Sequence, residues 1–184
     1  MIKDENLKFQ NDLHNKENIL NKRIVELSDN KKYIEAAILY SSIYEALLVR
    51  MLELCEEIIE RKVGKSIQYK ARKATYFIND KNFTLGVLIN LTERYFDNKE
   101  LFKKLRKFNN EVRRKIIHRL FDPNIEVNDL NNDLGKKWSD HHKLLIMLFD
   151  QEIELLKELK VILKGSVISQ VLPSPPSLMR GNSK

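Results

Sequence analysis

The most informative stretch of this 184-residue chain reads FNNEVRRKIIHRLF and runs from Phe108 to Phe121. An α-helix turns about 100° per residue. On such a helix, apolar residues of this stretch and of the residues just before it lie within about 40° of one line and form a stripe. The members of the stripe are Leu101, Leu105, Phe108, Val112 and Ile116. We therefore predict one amphipathic helix, Lys99–Phe121, whose stripe faces the core.

A second apolar patch lies on the other side of the same helix. Ile117 and Phe121 fall at about 140° and 180° from Val112. Arg113 and His118, at about 100° and 240°, frame that patch. A helix that meets only its own core does not need a second patch, so this one predicts contact with a partner.

The rest of the chain favours helices, because Gly (5) and Pro (4) are scarce and charged residues reach 32%. Tyr33–Arg61 is apolar on most sides, which predicts a long helix in the middle of a bundle. Ser28, Asp29 and Asn30 precede it and supply capping side chains. Other helices are expected over 3–27, over Thr84–Tyr95, and from an N-cap at Ser139 to Lys164, where Gly165 ends the helix.

These elements predict an all-α fold, a helical bundle of four to five helices with a long central helix. We expect an N-terminal helix over 1–30, the bundle over 31–165, and a flexible tail over 166–184 that contains PSPP. Cys55, the single cysteine, is predicted to be a buried hydrophobe. No Cys, His or carboxylate cluster has metal-ligand spacing, so we expect no metal and no cofactor. The chain shows neither a signal peptide nor an 18-residue apolar run, which predicts a cytoplasmic protein without membrane contact.

Positive charge is concentrated in two segments of the chain. Residues 61–73 carry six basic side chains and no acidic one, and residues 103–119 carry eight against Glu111 alone. The chain as a whole has a net charge of +7, so the remainder is acidic. This pattern predicts a polyanion site, although two solvated lysine-rich faces would give the same counts. The candidate RNA-binding residues of the first segment are Lys62, Lys65, Lys70, Arg72 and Lys73.

Glu45 lies within the apolar stretch of the long helix. A lone buried carboxylate is costly unless a cation meets it. Either Arg113 or Arg114 pairs with Glu45, or Glu45 lies on an exposed strip.

The Arg113–His118 spacing resembles the Arg-x4-6-His motif of the HEPN superfamily of helical RNases and RNA-binding proteins. RRKIIH followed by RLF resembles the RNKIxH segment of many HEPN-like proteins, and Tyr33–Leu54 resembles the long apolar helix before the motif helix. With Thr84–Leu91, the resemblance covers roughly residues 30 to 163. It implies a HEPN-like bundle, and it implies that an acidic residue of the long helix, here Glu45, meets a motif arginine.

The resemblance also implies metal-independent cleavage of single-stranded RNA, in which the ribose 2′-OH attacks the neighbouring phosphate. His118 is then the general acid/base, because histidine is the side-chain type that exchanges protons near neutral pH. Arg113 is the phosphate clamp, with Asn110 and Arg114 in support. In the family two motifs meet across a two-fold axis, which implies a homodimer through Ile117 and Phe121. Many such proteins are toxins or antiphage abortive-infection effectors, and an antitoxin, protein or RNA, would be a further partner.

Two other functions fit the same sequence. Arg114 stands where active members have a small polar residue, which favours a non-catalytic RNA-binding or scaffold protein. The Pro-rich tail favours a helical protein-interaction module. Toxicity on expression would identify the RNase, and salt-dependent RNA binding would exclude the interaction module.

Overall fold

The computed structural model describes residues 18–63, 84–120 and 122–171, with side chains given up to Lys164. A π-helical turn, Asn109–Arg113, joins two helices without a break. The described part contains no strand, so the predicted all-α fold is confirmed. In chain order the helices are α1 (18–29), α2 (Tyr33–Val63), α3 (Leu85–Glu93), α4 (Lys99–Phe108), α5 (Arg114–Arg119), α6 (Val127–Gly135) and α7 (Trp138–Val171).

The long helix α2 forms the centre of the bundle, as its sequence predicts. Of its 31 residues, 15 are buried, and they occur on more than one side of the helix. It packs chiefly against α7, and also against α3 and α6. Cys55 is buried in this core, as expected. The buried leucines of α7 are Leu144, Leu145, Leu148, Leu155 and Leu159.

The cap of α2 comes from a distant part of the chain. The Oδ1 atom of Asn131, in α6, accepts hydrogen bonds from the backbone N–H of Tyr33 at 2.8 Å and of Ile34 at 3.2 Å. Asn30, one of the residues expected to cap α2, instead donates from its side chain to the carbonyl of Glu26 at 2.7 Å. The local prediction of the cap was therefore wrong, because a neighbouring helix brings a better-placed acceptor to the same amides.

Helix α7 differs from its prediction at both ends. It begins at Trp138, so Ser139 lies within the helix and not at its N-cap. It passes Gly165 and ends at Val171, beyond the expected start of the tail. Glycine inside a helix costs only about 1 kcal/mol, which weakens a helix without stopping it. Helix α6, Val127–Gly135, was not predicted.

A buried ion pair joins the two longest helices. Arg50 of α2 contacts Glu152 of α7, and their side chains are only 15% and 5% exposed. Separating the two side chains would leave a buried charge without a partner, which is costly. The ion pair therefore favours this one placement of α7 against α2. No helix in the described ranges has the length and apolar character needed to cross a membrane.

Candidate functional site

Arg113 pairs with the acidic residue of the central helix. Its Nη2 atom lies 3.0 Å from Glu45 Oε1, and the two side chains are 27% and 30% exposed. The Oε1 atom is itself buried, and the guanidinium is near it without hydrogen-bond alignment. Of the alternatives that the sequence left open for Glu45, the structure shows the pairing with Arg113, whereas Arg114 is exposed.

A π-helical turn precedes this contact and was not predicted. Asn109–Arg113 form hydrogen bonds with i→i+5 spacing, which fits an extra residue into the turn. Asn109 is buried there, and Gly86 of α3 leaves room for it, since a Cβ atom at Gly86 would lie 3.3 Å from Asn109 Nδ2. The turn changes the angular register between α4 and α5, so a single helical wheel cannot describe Lys99–Arg119. Two consecutive asparagines, which are weak helix formers, are the only local sign of it.

His118 lies in the last turn of α5 and is exposed. It follows Arg113 by five residues, or roughly 140° around the helix. Within the described ranges no hydrogen bond or ion pair involves the His118 ring. Each chain therefore has an arginine, Arg113, that is held in place by Glu45, and an exposed histidine, His118, on the adjoining face of the helix.

The supporting residues occupy the solvent side of the same helix. Asn110 and Arg114 are exposed. Ile117 is 52% exposed and Leu120 is 38% exposed, so an apolar patch is present beside the motif. Phe121, expected to belong to that patch, lies outside the described residues.

The first basic segment lies mostly outside the described residues. Lys65, Lys70, Arg72 and Lys73 fall between 63 and 84, so the structure gives no geometry for them. Lys62 is described, and it pairs with Glu158 of α7. Its role in RNA binding stays a prediction, and its ammonium group is already shared with a carboxylate.

The second basic segment keeps most of its charge available. Three of its eight cations pair with carboxylates: Lys104 with Glu100, Arg106 with Glu93, and Arg113 with Glu45. The other five form no ion pair within the described ranges, although Lys115 and Arg119 lie near enough to Asp133 to help lower its pKa. These five cations are Lys103, Lys107, Arg114, Lys115 and Arg119.

A buried histidine is the functional candidate that sequence reasoning missed. His141 of α7 is 6% exposed and lies among the aromatic rings of Tyr40, Phe108 and Trp138. Its burial lowers the pKa of the imidazole from 6.5 to about 4, so the ring is neutral at pH 7. The Nε2 atom is buried without a hydrogen-bond partner. His141 lies three, four and seven residues before the buried leucines at 144, 145 and 148, a spacing that places it on the same face of α7. This periodicity is the sequence signal from which its burial could have been predicted.

Comparisons with family models, curated proteins and solved structures found nothing that matches this chain. The function is therefore argued from the site itself.

Proposed function

We propose that the protein is a HEPN-type, metal-independent RNA endonuclease that acts as a toxin or antiphage defence effector. The observation that carries the proposal is the Arg113–Glu45 ion pair, which holds the motif arginine against the central helix. The exposed His118 follows about 1.4 turns later in the same helix. An Arg-x4-His pair that occurred by chance on a basic helix would not need a carboxylate that holds the arginine in place.

In the proposed reaction the ribose 2′-oxygen forms a bond to the adjacent phosphorus while the P–O5′ bond breaks. A base removes the 2′-OH proton, and an acid gives a proton to the departing 5′-oxygen. His118 is suited to these transfers because histidine exchanges protons near neutral pH. The products are a 2′,3′-cyclic phosphate end and a 5′-hydroxyl end.

Arg113 stabilises the negative charge that develops on the phosphate. A guanidinium has five N–H donors, so it retains donors for phosphate oxygens while one edge faces Glu45. The carboxylate holds the arginine in position before substrate arrives, which reduces the ordering cost at the moment of reaction.

A homodimer would complete the site. One chain offers one motif histidine, whereas the acid and the base act on opposite sides of the reacting phosphate. Pairing the patch around Ile117 and Leu120 with its own copy across a two-fold axis covers exposed apolar surface and brings two motifs together.

His118→Ala tests the assignment. Loss of a proton-transfer group is expected to reduce cleavage of a fluorophore–quencher single-stranded RNA by about 10²–10⁴-fold. RNA affinity should stay within a few fold, because a neutral histidine adds little to polyanion binding. Growth toxicity on expression should disappear with the cleavage activity.

His142→Ala is the matched control, since His142 is also an exposed histidine but lies on α7. It should cleave like the unaltered protein, and a chelator should leave the rate unchanged. Cleavage by His118→Ala at the unaltered rate, or cleavage abolished by the chelator, would contradict the proposal.

A non-catalytic RNA-binding protein is the second candidate. Five cations of residues 103–119 form no ion pair within the described ranges, and three of them, Lys103, Lys107 and Arg114, have no carboxylate near them there. They support this candidate, because they provide a polyanion surface that does not depend on His118. Salt-dependent RNA binding with no cleavage by the purified, unaltered protein would favour this candidate.

A further inference from the structure

The motif segment has an outer row of exposed residues, which consists of Lys103, Lys107, Asn110, Arg114 and His118. The two lysines belong to α4, the asparagine to the π-helical turn, and the arginine and histidine to α5. Successive members are three or four residues apart, which is about one turn, so each is a neighbour of the next on the outside of the helix. From end to end the row spans roughly 20 Å along the helix axis.

The carboxylates of this region are paired with cations outside the row. Helix α5 has no acidic residue, and α3, α4 and the π-helical turn have one each. The three ion pairs are Glu93 with Arg106, Glu100 with Lys104, and Glu111 with Lys137. In the part of the chain that the structure describes, Lys103, Lys107 and Arg114 form no ion pair.

Such a separation of charge is not what solubility alone would favour. Like charges four residues apart on a helix repel, and opposite charges attract, so solvated helix surfaces usually mix both signs. The outer row instead places Lys103 four residues from Lys107 with no acidic member between Lys103 and His118. This pattern favours a ligand whose own negative charge repeats along its length.

The length and chemistry of the row fit a nucleic-acid backbone. A single phosphate or carboxylate cannot contact cations at both ends of a row of roughly 20 Å. Lysine, arginine and asparagine side chains are all common donors to the phosphates of a bound strand. The row contains no aromatic side chain on which a base could stack, so its contacts would be to the backbone and independent of base sequence.

We infer that the outer row is a phosphate path that holds single-stranded RNA on one side of the cleavage position. Lys103, Lys107 and Arg114 each bind one phosphate, and the strand then reaches Arg113 and His118. Arg114 thus holds a phosphate beside the reacting one, whereas Arg113 holds the reacting phosphate itself. The choice of RNA rests on the proposed function; the path itself rests on which cations are paired and which are not.

The salt dependence of binding counts the phosphates that the row contacts. The probe is a fluorescein-labelled 2′-fluoro oligouridine, which lacks the attacking hydroxyl, and fluorescence anisotropy measures its affinity for the full chain. For single strands, the slope of log affinity against log salt changes by about 0.7 for each phosphate contact. The combined variant Lys103→Gln, Lys107→Gln and Arg114→Gln should therefore flatten this slope by about 2.

A second combined variant, Lys104→Gln, Arg106→Gln and Lys137→Gln, is the matched control. It removes the same net charge, but from cations that already pair with carboxylates. Its slope should stay that of the unaltered protein. Lys103→Gln alone, at the end of the row farthest from His118, should flatten the slope by about 0.7, and it tests the path with a single exposed substitution.

Equal flattening by the two combined variants would show that the strand responds only to the net charge of the chain, and would overturn the path. An unchanged slope in the Lys103→Gln protein, or no binding of the probe by the unaltered protein, would overturn it as well.

Vesicles of phosphatidylcholine and phosphatidylserine test another anionic surface. Vesicle binding that the first combined variant loses, without binding of the oligonucleotide, would assign the row to a membrane and overturn the RNA path. The 2′-fluoro probe cannot be cleaved, so none of these results depends on His118. A protein that binds the probe through the row but never cleaves RNA would contradict the RNase proposal and leave the path in place.

Discussion

At the scale of single residues, the strongest constraint on the site is the contact between Arg113 and Glu45. The Arg113 side chain is 27% exposed, the Glu45 side chain is 30% exposed, and the Glu45 Oε1 atom is buried. Removing the arginine therefore leaves a carboxylate that water reaches poorly. The pair contributes to stability as well as to the proposed chemistry.

Arg113→Ala should lower the free energy of unfolding by about 1–3 kcal/mol, the usual cost of leaving a buried polar group unsatisfied. Glu45→Gln removes the negative charge that Arg113→Ala leaves without a partner. The double variant should therefore recover part of the lost free energy of unfolding. Urea unfolding of the four proteins of this cycle measures the coupling. Additive effects would mean that the two side chains do not interact in solution.

His141 should make stability depend on pH in a defined window. Its folded-state pKa is lowered from 6.5 to about 4 by burial, so between these values the unfolded chain binds a proton that the folded chain excludes. Stability is therefore complete above pH 6.5 and falls as the pH drops towards 4, by up to about 3 kcal/mol from this group.

The contribution of His141 is isolated by comparing urea unfolding of the unaltered protein with that of His141→Leu from pH 7 to pH 4. Carboxylates titrate in both proteins, so only the difference between the two curves reports His141. A difference that is constant across the window would show that the ring is not buried as a neutral group.

At the scale of helices, tertiary contacts determine where elements begin. Asn131 accepts from the first amides of α2 and donates to the Lys31 carbonyl at 2.5 Å, so α6 holds the start of the central helix. Lys31 lies in the left-handed region at φ 56°, which turns the chain sharply from α1 into α2.

Asn131→Ala should therefore destabilise the protein by about 1–2 kcal/mol, the cost of losing an N-cap. Asn132→Ala is the matched control, because Asn132 is the exposed neighbour in the same helix and should change stability by less than about 0.5 kcal/mol. Thermal unfolding followed by circular dichroism compares the two. Equal melting temperatures for the two variants would refute a capping role for Asn131.

At the scale of the whole molecule, the motif surface carries exposed apolar side chains. Ile117 and Leu120 are exposed next to Arg113 and His118 and would suit a symmetric contact. Self-association through this patch would place the two copies of the motif on one surface.

Ile117→Glu should convert a dimer to a monomer, because it places a charge on each side of the same symmetric contact. Val161→Glu is the control: Val161, on α7, is 69% exposed, and its substitution should leave the dimer intact. Light scattering at micromolar concentrations distinguishes the masses. An unaltered protein that is already monomeric would remove the basis for a composite two-chain site.

The sequence by itself determined the helical class, the central position of α2 and the core stripe of the motif helix. Each follows from the periodic placement of apolar residues along one segment, and burial of those residues is the main driving force for folding. The apolar setting of Glu45 also predicted a cationic partner, but it left Arg113 and Arg114 both open and kept an exposed position for Glu45 as the alternative.

Only the tertiary structure decided which charges pair, where α2 is capped, and how His141 is surrounded. The Arg113–Glu45 contact, the Asn131 cap and the ring contact between Phe108 and His141 each join residues that are far apart in the chain. The π-helical turn belongs with them, since the room that Gly86 leaves for Asn109 comes from another helix. Local propensity carries no information about such neighbours, because they meet only when the helices pack.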